Sequence, residues 1–238
     1  MSRPIWRVNV ITLMPGMYPG PLGSSLIGDA LAQNIWELSI TDLREFGIGV
    51  HQKVDDSPYG GGAGMVMKPD VVDAAILSAQ AKLPNAQLIH FSPRGEPLSQ
   101  PILRELSQTD VILLCGRYEA IDERVLEKHQ PREISLGDFV LTGGDIPAMA
   151  LIDGCVRLLP GAIGKSESLG EESFGDGDYA QLLEYPHYTK PAEWEGKAVP
   201  AVLTSGNHAE IAKWRLSEAQ KITAARRPDL LAAKKGQK

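Results

Sequence analysis

The sequence predicts an α/β fold, a parallel sheet with helices on both faces, followed by a small α-helical C-terminal domain. Two observations carry this. Short runs of β-branched and aliphatic residues recur through the first 160 or so positions, with helix-period segments between them. After Pro160 the composition turns abruptly to glycine and acids, in GAIGKSESLGEESFGDGDYAQ.

Strands are expected at Ile5–Leu13, Ile35–Ile40, Gln87–Phe91, Val111–Cys115 and Glu133–Leu136. Several are near-continuous apolar runs, as a parallel sheet buried on both faces requires. Helices are expected at Ser25–Gln33, Pro69–Ala81, Gln100–Ser107, Ile121–Lys128 and Ile146–Leu159, the second with proline in its first turn. The glycine- and acid-rich stretch lacks large aliphatic residues and is expected to be a mobile linker or lid. Tyr185–Pro191 reads as a rigid aromatic and proline turn. Asn207 with Glu210 resembles a capping box that starts a helix near His208. In that helix Ile211, Trp214 and Ile222 can face a core while Lys213 and Lys221 point outward, and a second short helix is expected after Pro228. The expected domains are 1–163 (α/β), 164–190 (linker) and 191–238 (basic, helical).

With 238 residues, 43% of them hydrophobic, the chain is long enough for a large domain or a medium one plus a small one. No apolar run approaches the roughly 20 residues that span a bilayer. The N-terminus lacks the pattern of a signal peptide, so a cytoplasmic location is expected. Cys115 and Cys155 sit in apolar surroundings without ligand-like spacing and read as packed thiols. The net charge of −6 hides an asymmetry, because residues 207–238 carry +5 and the rest −11. A localised polyanion contact and a solvated terminal helix both account for that tail.

Several glycine-rich loops could carry chemistry. Pro58–Met65 (PYGGGAGM) has three consecutive glycines, but Met65 stands where a dinucleotide fingerprint needs its third glycine. LPGAIGKS ends like a phosphate-binding loop, yet Leu159 occupies its first position and a helix precedes it, which excludes a nucleotide triphosphatase reading. Three further loops are expected at strand ends: Ser92–Pro97 (SPRGEP), Gly116–Glu119 (GRYE), and Gly137–Asp138 with Thr142–Pro147 (TGGDIP). In an open α/β sheet, ligands bind beyond the carboxyl ends of the strands. These loops offer backbone donors and acceptors for a planar base, with Glu119, Asp138 and Asp145 available to a cationic group.

SPRG, CGRYEAIDER, SLGDFVLTGGDIPAM, PYGGGAGM, YPHYTKP and SGNHAEIAKWR, in this order or nearly so, closely resemble the bacterial tRNA (guanine-N1)-methyltransferases of the SPOUT superfamily. The resemblance runs from about Thr12 to about Leu231. It implies transfer of a methyl group from S-adenosylmethionine to N1 of guanosine 37, beside the anticodon. It also implies a SPOUT-type sheet with a C-terminal trefoil knot, and a homodimer in which the linker and C-terminal domain of one copy complete the site of the other. General topology rules would not have led to a knot.

By motif match, Ser92, Pro93, Gly95, Gly116, Tyr118, Glu119, Ser135, Leu136, Gly137, Leu141, Gly143, Gly144 and Pro147 are expected to bind the methyl donor. Tyr59, Gly60, Gly61, Ser173, Glu184, Lys190, His208, Lys213 and Arg215 are expected to contact tRNA. The resemblance also implies a Mg²⁺ requirement, with Glu119 a candidate ligand and no protein cage legible.

Guanine N1 carries a proton that must leave before the nitrogen can attack a methyl group, so a carboxylate base is required. Charge then builds toward the guanine carbonyl oxygen and calls for a fixed cation. The matching residues are Glu172 and Arg157. Glu172 departs from the family's Asp by one methylene, and the linker after it is longer than the family pattern. Two other readings share these residues: a SPOUT ribose or rRNA methyltransferase, and a non-catalytic RNA-binding protein of the same fold.

Overall fold

The computed structural model describes residues 5–163 and 170–233. The chain forms two compact units, 1–164 and 165–238.

In the first unit five strands make an all-parallel sheet. They are β1 (Trp6–Thr12), β2 (Trp36–Asp42), β5 (Gln87–Pro97), β6 (Val111–Leu114) and β8 (Arg132–Ser135), in the order β2-β1-β6-β5-β8. Each coincides with an expected strand to within a residue or two at its start. Period-2 alternation explains why these segments are strands. In β1, Trp6, Val8 and Val10 enter one core while Ile11 and Leu13 enter the other. In β6, Val111 and Leu113 face the first core, Ile112 and Leu114 the second, and none of the four is accessible to water.

The first core lies under α1 (Ser25–Ala32), α3 (Gln100–Leu106) and α5 (Asp145–Val156). The second lies under α2 (Pro69–Lys82) and α4 (Glu123–His129). Polar atoms within the layers are paired: the Trp6 indole N–H donates to the Thr109 carbonyl at 2.7 Å, and Asn9 bridges Ser39 and Thr41. Helix α4 begins later than expected because Ala120–Ile121 forms a short strand, β7, and the Asp122 side chain then caps the helix at Arg124 N–H. With β3 (Asp55–Asp56) and β4 (Val66–Met67), β7 makes a small second sheet that was not among the expected elements.

Strand β5 corrects a second expectation. Ser92–Pro97 is no free loop: Phe91 and Glu96 both pair with Ile134, so Ser92–Gly95 bulges out and the chain rejoins β8 at Glu96.

The second unit contains a hairpin, β9 (Glu193–Trp194) and β10 (Lys197–Ala198), then α6 (His208–Arg226) and α7 (Pro228–Ala233). The Asn207 side chain accepts from Glu210 N–H, as the expected cap requires. The residues that α6 buries are small, Ala219 and Thr223, whereas Ile211, Trp214 and Ile222 are only partly covered. The stretch expected as a separate linker joins this unit from Gly170 onward. Leu182 and Tyr185 pack on Ala219, and Thr223 Oγ1 accepts from Leu183 N–H at 2.8 Å. Residues 164–169, which include Lys165 and Ser166 of the phosphate-loop look-alike, lie outside the described residues, as do Lys234, Lys235 and Lys238 of the basic tail. Among the described residues no helix is long and apolar enough to cross a membrane.

Leu113 packs at the centre of the sheet with no exposure. Leu113→Ala is expected to cost about 2–5 kcal/mol in chemical denaturation; a loss well under about 1 kcal/mol would contradict full burial of this position.

Candidate active site

The carboxyl ends of the three neighbouring strands β6, β5 and β8 open into one cleft of about 430 Å³, a size suited to a small molecule (roughly 300–1,000 Å³). The bulge of β5 supplies Ser92 and Pro93, with Ser92 Oγ accepting from Arg94 N–H. The turn after β6 supplies Gly116, Tyr118 and Glu119, and the segment after β8 supplies Ser135, Leu136, Gly137 and Leu141. Gly143, Gly144 and Pro147 complete the wall at the start of α5.

Gly95 is the exception among the expected donor-binding residues, since it does not line the cleft. A Cβ there would meet the Glu133 carbonyl carbon at 2.4 Å, so this glycine lets β5 return against β8. Gly144 has a comparable role at the cleft itself. Its Cβ would sit 2.8 Å from Cys115 Cα, and its N–H donates to the Gly116 carbonyl at 3.0 Å. Tyr118 adopts φ 61°, an uncommon conformation for a non-glycine residue, and its side chain is half exposed.

Several lining residues escaped the sequence reading. His90 lies two positions before Ser92 on the same strand, a spacing that places both on one face. Its imidazole is buried, and burial holds its pKa below the ordinary histidine value. Arg117, Phe139 and Val140 also line the cleft. Of the carboxylates offered to a cationic ligand, Asp138 is exposed beside the cleft and Asp145 is already occupied. Asp145 is 1% exposed and ion-pairs with Arg117 at 2.7 Å.

The glycine-rich loop is tied to this cleft. The Glu119 N–H donates to the Met65 carbonyl, and Gly64 leaves room for the Glu119 side chain, whose Cγ a Cβ would otherwise meet at 2.3 Å. Tyr59, Gly60 and Gly61 are exposed at the tip of this loop, and both glycines have positive φ. Arg157 closes the far end of α5 and does not line the cleft.

In the second unit, Ser173 Oγ accepts from Glu184 N–H at 2.9 Å, and Glu184 Oε1 lies 2.7 Å from His187 Nε2. Glu172 is partly buried in the turn closed by its own carbonyl and Gly175 N–H. Lys190, His208 and Lys213 are exposed, Lys213 beside Glu210. Arg215 is committed within its own unit. It ion-pairs with Glu171 at 3.0 Å and lies 4.9 Å over the Tyr185 ring, while the Tyr185 hydroxyl donates to the same carboxylate. That arrangement braces the segment around Glu172.

Among the described residues no group of three His, Cys, Asp or Glu side chains could hold a metal ion. Among these residues the implied Mg²⁺ therefore has no cage of protein ligands.

A family profile described as tRNA (guanine-1)-methyltransferase TrmD matches residues 6–233. The chain belongs to this family. It is 54% identical over 228 residues to the tRNA (guanine-N(1)-)-methyltransferase of Ruegeria pomeroyi, covering 95% of this chain and 92% of that one. The enzyme of the same name from Rhodospirillum rubrum is 53% identical, with 95% and 92% covered. That of Gluconobacter oxydans is also 53% identical, with 94% of each chain covered. Membership extends through both units, so neither is an unrelated addition to the family's sequence.

The buried His90 has a consequence for acid stability. Below the ordinary histidine pKa of about 6.5 the unfolded chain takes up a proton that the folded chain refuses. Stability should therefore fall as pH drops from 7.5 to 5, and His90→Asn should flatten that part of the profile in urea melts. An equally steep loss in the variant would assign the acid sensitivity elsewhere.

Proposed function

We propose that this chain methylates N1 of guanosine 37 in tRNA, with S-adenosylmethionine as the methyl donor. The observation that carries the reading is the single cleft beyond β5, β6 and β8, lined by the backbone-rich turns that hold the family's motifs. The residues fit such a donor: Gly116, Gly137, Gly143 and Gly144 bring bare backbone to the cleft, while Tyr118, Phe139 and Leu141 provide apolar surface for a planar base. When bound, S-adenosylmethionine supplies an electrophilic methyl group.

The acceptor side is assigned to Glu172 and Arg157. Glu172 takes the N1 proton of guanine, and Arg157 balances the charge that develops on the guanine carbonyl oxygen. Arg157 stands twelve residues beyond Asp145, about 18 Å along the helix axis at 1.5 Å per residue. Since the N-terminal end of that helix lines the cleft, an arginine at the opposite end supports a site shared between two copies. We assign the donor to one copy and Glu172, Ser173 and Glu184 to the other, in a homodimer. Tyr59, Gly60 and Gly61 flank the flipped guanine, and Lys190, His208 and Lys213 meet anticodon-stem phosphates. As the resemblance implies, we assign a trefoil knot to the chain after β8; the return of Gly144 to the end of β6, where its N–H bonds the Gly116 carbonyl, supports that reading. Action on tRNA supports a cytoplasmic location.

Incubation with labelled S-adenosylmethionine and a tRNA transcript bearing guanosine at positions 36 and 37 should give a product methylated on the base of residue 37. Methyl on a ribose, or binding without transfer, would overturn the reading. Arg157→Ala and Glu172→Gln should each reduce single-turnover rate by about 10²-fold or more while leaving donor affinity nearly intact. Full activity in Glu172→Gln would remove this residue as the base. Mixing Glu172→Gln with a cleft variant such as Gly144→Val, under conditions of subunit exchange, should restore activity that neither has alone. No recovery would argue against a shared site.

A further inference from the structure

Side chains from three stretches of the first unit converge on one buried carboxylate. Asp145 opens helix α5 and is 1% exposed. Its Oδ2 accepts from Arg117 Nε at 3.0 Å and from Nη2 at 2.7 Å. Its Oδ1 accepts from the Thr12 hydroxyl, at the end of β1, at 2.6 Å, and from the Tyr18 hydroxyl at 3.3 Å. Position at the start of a helix adds a favourable dipole to these bonds. The guanidinium is gripped on other sides as well. Nη1 reaches the Thr142 carbonyl at 3.5 Å, and a Cβ on Gly143 would sit 2.6 Å from Nε, so Gly143 makes room for the guanidinium.

Arg117 therefore ties together two adjacent turns on one side of the cleft, Gly116–Tyr118 and Thr142–Gly144, which also touch through the Gly144 N–H bond to the Gly116 carbonyl. Its own 18% exposure leaves little of it available to a ligand. We propose that Arg117 is a positioning residue for the methyl-donor cleft: held by Asp145, whose other oxygen Thr12 fixes, it keeps these two turns in register beside their backbone bond. The proposal rests on the reading that this cleft binds the donor. A planar fork serves this purpose where a point charge does not, because one group must satisfy a carboxylate and reach a carbonyl in fixed directions.

The test is binding of S-adenosylhomocysteine, the unreactive product, measured by calorimetry on the full chain alongside donor kinetics with tRNA. Arg117→Met should weaken binding by about tenfold or more, and KM for the donor should rise by a larger factor than kcat falls. Arg117→Lys should recover only part of the affinity. Gly143→Ala, which displaces the guanidinium and removes no charge, should reproduce the loss and covers the case in which Arg117→Met does not fold. Unchanged affinity in a variant that still melts cooperatively would overturn the proposal, leaving Arg117 as a fold-stabilising residue only. A wild-type protein that binds no S-adenosylhomocysteine would instead overturn the donor-cleft reading itself.

Discussion

The site depends on one close approach of backbone to backbone, where Gly144 returns to the end of β6. Its N–H bonds the Gly116 carbonyl, and no side chain could stand between it and Cys115. This contact fixes where α5 begins, and so where Gly143 and Pro147 face the cleft. It also holds the segment after β8 over the ends of β5 and β6. A sheet whose central strand is buried on both faces provides a rigid base for such a contact, because β6 cannot shift without moving two cores.

Much of the frame was legible from the residues. Several of the five sheet strands, β6 above all, announced themselves as aliphatic runs because a parallel strand buried on both faces leaves few polar positions to interrupt it. The Asn207 cap was legible because its chemistry is local, within one helical turn. The short strands β3, β4 and β7 were not, since two-residue pairings are set by tertiary neighbours and have no periodicity of their own. The bulged return of β5 was missed for a related reason. SPRGEP has the composition of a turn, and only the pairing of Glu96 with Ile134 shows that the strand resumes.

At the site, sequence motifs pointed to turns that share one cleft but did not show how the charges within them are paired. Asp145 looked available to a ligand because its partner lies 28 residues earlier, and nothing in a glycine-rich turn signals such a partner. The carboxylate that Arg215 pairs with, on Glu171, was equally illegible, at 44 positions distant. Long-range ion pairs are invisible to local pattern. A charge in a recognised motif can consequently be there to support the motif's shape while contacting no substrate.

The cleft is assembled from stretches that lie far apart in the chain: the bulge near Ser92, the turn near Gly116 and the run from Ser135 to Pro147. None of these forms a wall alone, and parallel strands can only pair across long intervening segments. Closing those long loops slows folding, since the entropy is lost before the contacts form. It also means that partly folded chains have no cleft to offer. A small molecule that binds there recognises only the completed sheet, and by mass action it draws the population toward that state. Donor concentration thus acts on how much of the protein is folded as well as on how fast it turns over.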